Sequence, residues 1–384
     1  MDADFKEIGH SGGRITFRIS TDEAGNRGFS VAWSHSRPTP AAIVGIHALE
    51  QGIPVIAFNM GGIGQLWDPP PPKGCLPVFL CSDSHGKFGH KCDQCSGYWR
   101  SSAFPRVCPY CGNMPEPHHT LSDAQRRYVE HYCKTLVDAL SRIDNGEVII
   151  DMDAIATSVD TPDQRPEFYV SEEQQQHQFD CEACGGFNDV IGAYVFCSSC
   201  GTRNDHAILR TQMEASRTRL NQGNKPEDCV RDAASHFDSF IGQISNQLVY
   251  QIPMTKARKS RLQRNRFHKF EEVCSVFLNW FDIDLAKGIN KSDRDFINLM
   301  FLRRHVYEHN GGEVDAKYIA DSGDSNVRLK QLLREKPEDV HRFLGLINKL
   351  GHNAHTGFQD IFPPIDAPIK THREIQERIK RFET

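Results

Sequence analysis

The chain has 384 residues, a formal net charge of −5, 39% hydrophobic residues and 25% charged residues. That length leaves room for two or three domains and a sizeable core, and the charge argues against a protein that coats nucleic acid over its whole surface. No apolar run approaches the about 18–20 residues of a membrane-spanning helix, and the first residues show neither a charged nor an apolar leader region, so a cytoplasmic protein with no membrane partner is expected. Eight of the thirteen cysteines fall in four Cys-x2-Cys pairs, which points to metal in a reducing compartment rather than to disulfides.

Residues 1–68 read as a small α/β unit. Ile15, Phe17 and Ile19 alternate, as do Phe29, Val31 and Trp33, the period-2 signal of half-buried strands. Thr39-Pro40 predicts a helix start, with Ile43, Ile46 and Leu49 carrying the helix to Gly52. Ile53–Phe58 predicts a strand, and Met60–Gly64 a Gly-rich turn that lacks the Gly-Lys-Ser/Thr ending of a P-loop. Ser34, His35, Ser36 and Arg37 read as a solvated loop. The polyproline stretch after Asp68 predicts a domain boundary.

Two metal signatures follow. Cys92-x2-Cys95 and Cys108-x2-Cys111 are twelve residues apart, and Cys181-x2-Cys184 and Cys197-x2-Cys200 repeat that spacing. Two residues between cysteines let one tight turn aim both sulfurs at one ion, and two such turns complete a tetrahedral thiolate site. Gly97, Gly112, Gly185 and Gly201 follow the turns. Four thiolates leave no open position, so structural Zn2+ is expected in two zinc ribbons, 75–115 and 171–204, although tetrahedral sulfur also suits iron. Cys75, Cys81, His85, His90 and the His118-His119 pair read as ordinary loop or surface residues. Between the ribbons, 116–170 is a connector. Ser122–Ile143 predicts a helix with Tyr128, Tyr132, Leu136 and Ala139 on one face and Cys133 beside it, followed by a short strand at Val148–Ile150. Glu172–Gln178 is expected to be exposed.

From 205 to 384 the pattern is helical. Asp205–Asn221 reads as a polar connector helix. Asn224 and Glu227 predict a cap for the helix bearing Val230, Phe237, Ile241 and Leu248. Further helices carry Phe270, Cys274, Phe277 and Phe281, then Phe296, Leu299, Met300 and Val306 behind Ser292 and Asp295, then Val340, Phe343, Ile347 and Leu350 up to Gly351. Cys229 and Cys274 read as core residues. Four amphipathic helices with short connections fit a bundle, with one more short helix at Thr371–Phe382.

Two constellations carry chemistry. Arg303, Arg304, His305 and His309 crowd the end of the third of these helices, just before Asn310-Gly311-Gly312. Histidine moves protons near neutral pH, and arginine holds a phosphate and stabilises charge building on its oxygens. Residues five apart on a helix differ by about 140° around the axis, so Arg304 and His309 converge only if Arg304 reaches around or the helix breaks. The second constellation is the basic run Lys256, Arg258, Lys259, Arg261, Arg264, Arg266 and Lys269, which would track a phosphate backbone.

Arg304-His305-x3-His309, followed by Asn310-Gly311-Gly312-x2-Asp315-x2-Tyr318, resembles the Arg-x4-6-His region of HEPN domains, all-α modules of which many are RNases. The resemblance covers roughly residues 225–360 and implies a HEPN-like bundle acting as a homodimeric, metal-independent endoribonuclease. On that resemblance Arg304, His305 and His309 are catalytic, Arg303 and the basic run contact RNA, and no cofactor is needed for catalysis. The physiological role implied is microbial defence or a toxin-like system, with a trigger ligand or regulatory protein acting through the N-terminal unit. The alternative is a non-catalytic module in which the bundle dimerises and the ribbons bind nucleic acid or protein.

Overall fold

The fold is that of a computed structural model, which describes every residue except 1–3, 10–11, 26, 37–40, 60–66, 103, 142–144, 152–153, 155–170, 264–268 and 384. Met1–Gly201 and Ile365–Thr384 form one unit, and Thr202–Pro364 a second. Among the described residues no helix is long and apolar enough to cross a membrane.

In the first unit, β2 (Arg14–Thr21) turns Ile15, Phe17 and Ile19 inward, as the alternation predicts. It is the centre of an antiparallel sheet between β3 (Arg27–Ser34) and β9 (Gly146–Asp151), with Ile15 opposite Ile150 and Phe17 opposite Val148. A second sheet has β4 (Ile43–Leu49) between β5 (Pro54–Phe58) and β6 (Cys75–Cys81). The expected helix over Ile43–Leu49 is therefore a strand. A strand paired on both edges and covered on both faces has no polar alternation, so its apolar residues also satisfy a helical spacing. Pairing across Gly45 confirms the strand: Phe58 lies over it so closely that a Cβ there would overlap the ring. The expected helix cap at Thr39-Pro40, the turn at 60–64, Arg37 and Ile143 lie outside the described residues.

Both sheets share one core with α1 (Asp123–Leu140), which contributes Tyr128, Val129, Tyr132, Cys133 and Leu136. Ser122 and Gln125 close a capping box at its start, satisfying two otherwise orphan N–H groups. The chain after the polyproline stretch returns to the same core: β6 follows it and pairs with β4, which precedes it.

The two cysteine hairpins form a single four-stranded sheet, β11 (His177–Asp180), β12 (Phe187–Val190), β8 (Tyr98–Ser101) and β7 (Phe88–Lys91) in that order. The hairpins join through β12 and β8, where Asp189 stands opposite Arg100, 89 positions apart in sequence like the equivalent cysteines of the two sets. Equivalent positions of the repeat thus meet with opposite charges. Arg100 is buried; its Nε and Nη2 donate to Asp83 Oδ2 at 2.9 and 2.6 Å, and its Nη1 donates to Asp189. Asp83 Oδ1 accepts the N–H groups of His85 and Lys87, so the turn before β7 is built around the same carboxylate.

The expectation of an exposed Glu172–Gln178 is wrong at Glu172 and Gln175, both 2% exposed. The segment's polarity serves an internal network instead. Glu172 accepts from Tyr98 Oη at 2.7 Å and Gln125 Nε2 at 3.1 Å, and sits so close to Gly89 that a Cβ there would overlap its carboxylate. Cys75 and Cys81 bound β6, and His90 lies in β7 against Trp99, so these expected loop residues are strand residues.

In the second unit α2 (Asp205–Asn221), α3 (Pro226–Gln251) and α8 (Pro337–Ile361) pack on one another, with α5 (Phe270–Phe281) and α6 (Lys291–His309) completing the bundle. Phe301 of α6 lies between Phe237, Phe270 and Phe343, with ring centroids 5.9–6.2 Å away. The polar look of α2 misled: Leu209, Met213 and Leu220 are fully covered, and it is a core helix. Gly351 does not end α8, which continues to Ile361; Leu209 packs on this glycine so closely that a Cβ would overlap it. Helix starts differ by a few residues from expectation: Pro226 opens α3 after Lys225, and Asn290 Oδ1 caps α6 by accepting from Asp293 N–H at 2.8 Å. The tail forms α9 (Asp366–Glu383) and belongs to the first unit, where Ile369 covers Cys181, Cys197 and Cys200.

Burial pushes the Glu172 carboxyl up to about 7, with nearby Asp83 adding to the shift. A raised carboxyl contributes full stability below its unfolded value of about 4.5 and loses it as pH rises through about 7. Urea titrations of wild type and Glu172→Gln between these pH values should diverge in slope. Wild type should lose about 3 kcal/mol relative to the variant as pH rises, at about 1.4 kcal/mol per pKa unit. Parallel curves would remove Glu172 as the origin of the effect.

Candidate metal centres and the Arg304–His309 helix end

Each cysteine set closes into a compact four-sulfur group, all sulfurs within 4.8 Å of one another. Cys92–Cys111 and Cys95–Cys108 sulfurs are 3.8 and 3.7 Å apart, and Cys181–Cys200 and Cys184–Cys197 3.8 and 3.6 Å. A tetrahedron with metal–sulfur bonds of about 2.3 Å has edges of about 3.8 Å, so both groups fit zinc ribbons. These are the only such groups of three or more Cys, His, Asp or Glu ligands among the described residues. Cys75, Cys81, His85, His90, His118 and His119 join neither.

Each turn is closed by a backbone bond back to its first cysteine: Ser96, Gly112, Gly185 and Gly201 N–H donate to the carbonyls of Cys92, Cys108, Cys181 and Cys197. All four donors adopt positive φ, between 59° and 78°. Three are glycines, as that conformation favours. In the first turn Ser96 takes the position, and Gly97 is needed instead for the Tyr110 ring that lies on it. Outer contacts orient the sulfurs. Buried Asn188 points its Nδ2 at Cys197 Sγ, 3.6 Å away, and accepts from Ser198 N–H, while Ser199 N–H reaches the same sulfur at 3.4 Å.

The second site lies at the end of α6. The helix runs unbroken to His309; Asn310 N–H and Gly312 N–H both return to the Val306 carbonyl, and Gly311 and Gly312 take positive φ. The residues after the motif have structural duties. Asn310 Nδ2 donates to Asp315 at 2.9 Å, and Asp315 caps α7 (Ala316–Ser322) by accepting from Tyr318 N–H at 2.7 Å.

Arg303, expected to contact RNA, is instead tied inward. Its Nη2 donates to Asp324 at 2.8 Å, its Nη1 to Glu335 at 3.0 Å and its Nε to Tyr318 Oη at 3.2 Å. Neighbouring carboxylates outweigh desolvation and hold its guanidinium more firmly protonated. Arg304 is 8% exposed, with Nη2 3.5 Å from Asp238 Oδ2 of α3 and Nε 2.9 Å from Glu308 Oε2. His305 and His309 are exposed on one face with ring centroids 4.5 Å apart. Glu308 Oε2 also lies 4.0 Å from His309 Nε2. One carboxylate therefore spans the angular gap between Arg304 and His309 that an intact helix leaves. Burial holds the His305 imidazole below its ordinary value, and the charges of His309, Lys317 and Arg304 act in the same direction.

The residues missed by sequence reasoning are Glu308, Asp238 and Lys317. Glu308 was legible as the i,i+4 partner of Arg304. Asp238 and Lys317 come from other helices and carry no local signal. Of the expected basic run, Lys256, Arg258, Lys259 and Arg261 lie on α4 (Lys256–Gln263), Lys269 pairs with Glu272 at 2.8 Å, and Arg264 and Arg266 lie outside the described residues.

No protein-family model, curated protein or solved structure matches the chain.

Metal analysis of the purified protein should return about two tetrahedral ions per chain, and Cys197→Ser should lower this to about one. A colourless protein supports zinc, a red one iron. A count of one for the wild type would remove a ribbon.

Proposed function

We propose that the end of α6 cleaves RNA by a metal-independent reaction of HEPN type. The observation that supports this most is the pair of exposed imidazoles, His305 and His309, 4.5 Å apart beside a buried guanidinium. RNA carries its own nucleophile in the 2′-OH, so two proton-transfer groups and a cation suffice. His305, held below the ordinary histidine value, takes the 2′-OH proton as the 2′-oxygen–phosphorus bond forms. His309 gives a proton to the 5′-oxygen as the phosphorus–oxygen bond breaks. The products are a 2′,3′-cyclic phosphate and a 5′-hydroxyl. Arg304 orders the site through Glu308, and exposed Lys317 faces His305 as the cation open to a phosphate. A second copy of the chain would present the same helix end across a dimer cleft, and the two zinc ribbons are structural. Defence of a microbial cell is the role such an activity fits.

A second reading rests on the same arginines. Arg303 and Arg304 each face two carboxylates, a pattern suited to a non-catalytic dimerisation and binding module. Incubation of labelled RNA with protein dialysed free of loose divalent ions separates the two. On the cleavage reading His309→Ala and His305→Ala each lower the rate about 100-fold or more. Because the base must be neutral and its pKa is lowered, the acid limb of the wild-type profile should begin only below the ordinary histidine value of about 6.5, and the need for a protonated acid should give a second, alkaline limb. Cutting that survives the double variant would assign it elsewhere, and a wild type that cuts no RNA would leave the binding module.

A further inference from the structure

From Ser239 to Phe270 the chain holds no aspartate or glutamate. Within this stretch α4 presents Lys256, Arg258, Lys259 and Arg261, and none of the four pairs with a carboxylate among the described residues. This sets them apart from the arginines of α6, which are all neutralised. One aromatic side chain lies against them, and a second is exposed just before α4 in the chain. The Arg258 guanidinium lies 5.8 Å from the centroid of the Trp280 ring on α5, and Tyr250, near the end of α3, is 55% exposed.

We infer that this surface binds single-stranded nucleic acid, with the basic side chains of α4 following the phosphates and Trp280 and Tyr250 stacking on bases. Unpaired cations draw a phosphate backbone by releasing its counterions, and an aromatic face accepts any unpaired base. A duplex keeps its bases stacked inside and offers nothing to the rings. An anionic lipid surface is the less suitable occupant, because a membrane-lying helix needs an apolar face. Here the apolar side chains of α4 are Ala257 and Leu262, and Leu262 is buried within the bundle. As a statement about substrate the inference rests on the cleavage reading and names single strands as what is cut; as a statement about binding it stands without it.

The test uses the full chain carrying His305→Ala and His309→Ala, so that binding is read without cutting. Fluorescence anisotropy follows a labelled single-stranded RNA, the same RNA as a duplex, and vesicles rich in phosphatidylserine. The single strand should bind more tightly than the duplex. Reversal of the four α4 charges to glutamate should weaken it at least about tenfold and flatten its salt dependence. Trp280→Leu should weaken single-strand binding about tenfold with the salt dependence unchanged. Unaltered binding in the charge-reversed chain, equal binding of duplex and single strand, or loss of vesicle binding alone would overturn the assignment. The two readings fail separately. If the surface binds single strands but the wild type cuts no RNA, cleavage alone is lost. If the wild type cuts, and the chain with only the α4 charges reversed cuts single strands with an unchanged KM, the surface alone is lost.

Discussion

The first unit is organised around one buried guanidinium. Arg100 sits where the two cysteine hairpins meet and is shared between Asp83, from the turn before the first hairpin, and Asp189, from the second. Taking three charged groups out of water is unfavourable unless each finds a partner, and removing one member of such a set typically costs about 3–5 kcal/mol. Burial pushes the Asp189 carboxyl up while the Arg100 charge opposes the shift. The constraint this imposes is one of register. Arg100 reaches both carboxylates only when β8 and β12 pair as they do, so the charge set selects the alignment that the apolar residues of short strands specify weakly. The two ribbons then act as one sheet, with Glu172, Gln125 and Gly89 packed along its β7 side.

The second unit uses charge in the opposite way. Arg303 and Arg304 sit on the core side of α6 and are consumed by carboxylates from α3, α6 and the segment after α7. What the helix end offers to solvent is therefore two imidazoles, Lys317 and the Glu308 carboxylate beside them, a group with little net fixed positive charge. A cluster of four cations with no carboxylate partner among the described residues lies instead on α4. On the proposed reading the imidazole pair would carry the chemistry while α4 draws the phosphates, a division of labour suited to a long, flexible polyanion.

Legibility followed the range of each signal. The cysteine sets were readable because ligand spacing within a tight turn is a local property, and the structure closes all eight cysteines as that spacing requires. Amphipathic stripes gave α1, α3, α5, α6 and α8, with the caps of α3 and α6 shifted by a residue or two and α8 running past Gly351 to Ile361. Three elements were misread for one reason. β4 has apolar residues all along because neighbouring strands cover it. α2 looks polar although a narrow apolar line is fully buried. Glu172 looks like a surface residue because its partners, Tyr98 and Gln125, lie far away in the chain.

The sequence by itself determined the four cysteine turns and their repeat, the helical character of Thr202–Pro364 and the shared face of His305 and His309, since each depends on residues close in the chain. Only the tertiary structure decided that the ribbons share one sheet and that the tail covers the second cysteine set. It also decided that Arg303 and Arg304 are neutralised while α4 is not. These outcomes depend on which charged groups are brought within about 4 Å after folding, and the Coulomb energy of a pair depends on that separation and on burial, neither of which sequence distance encodes.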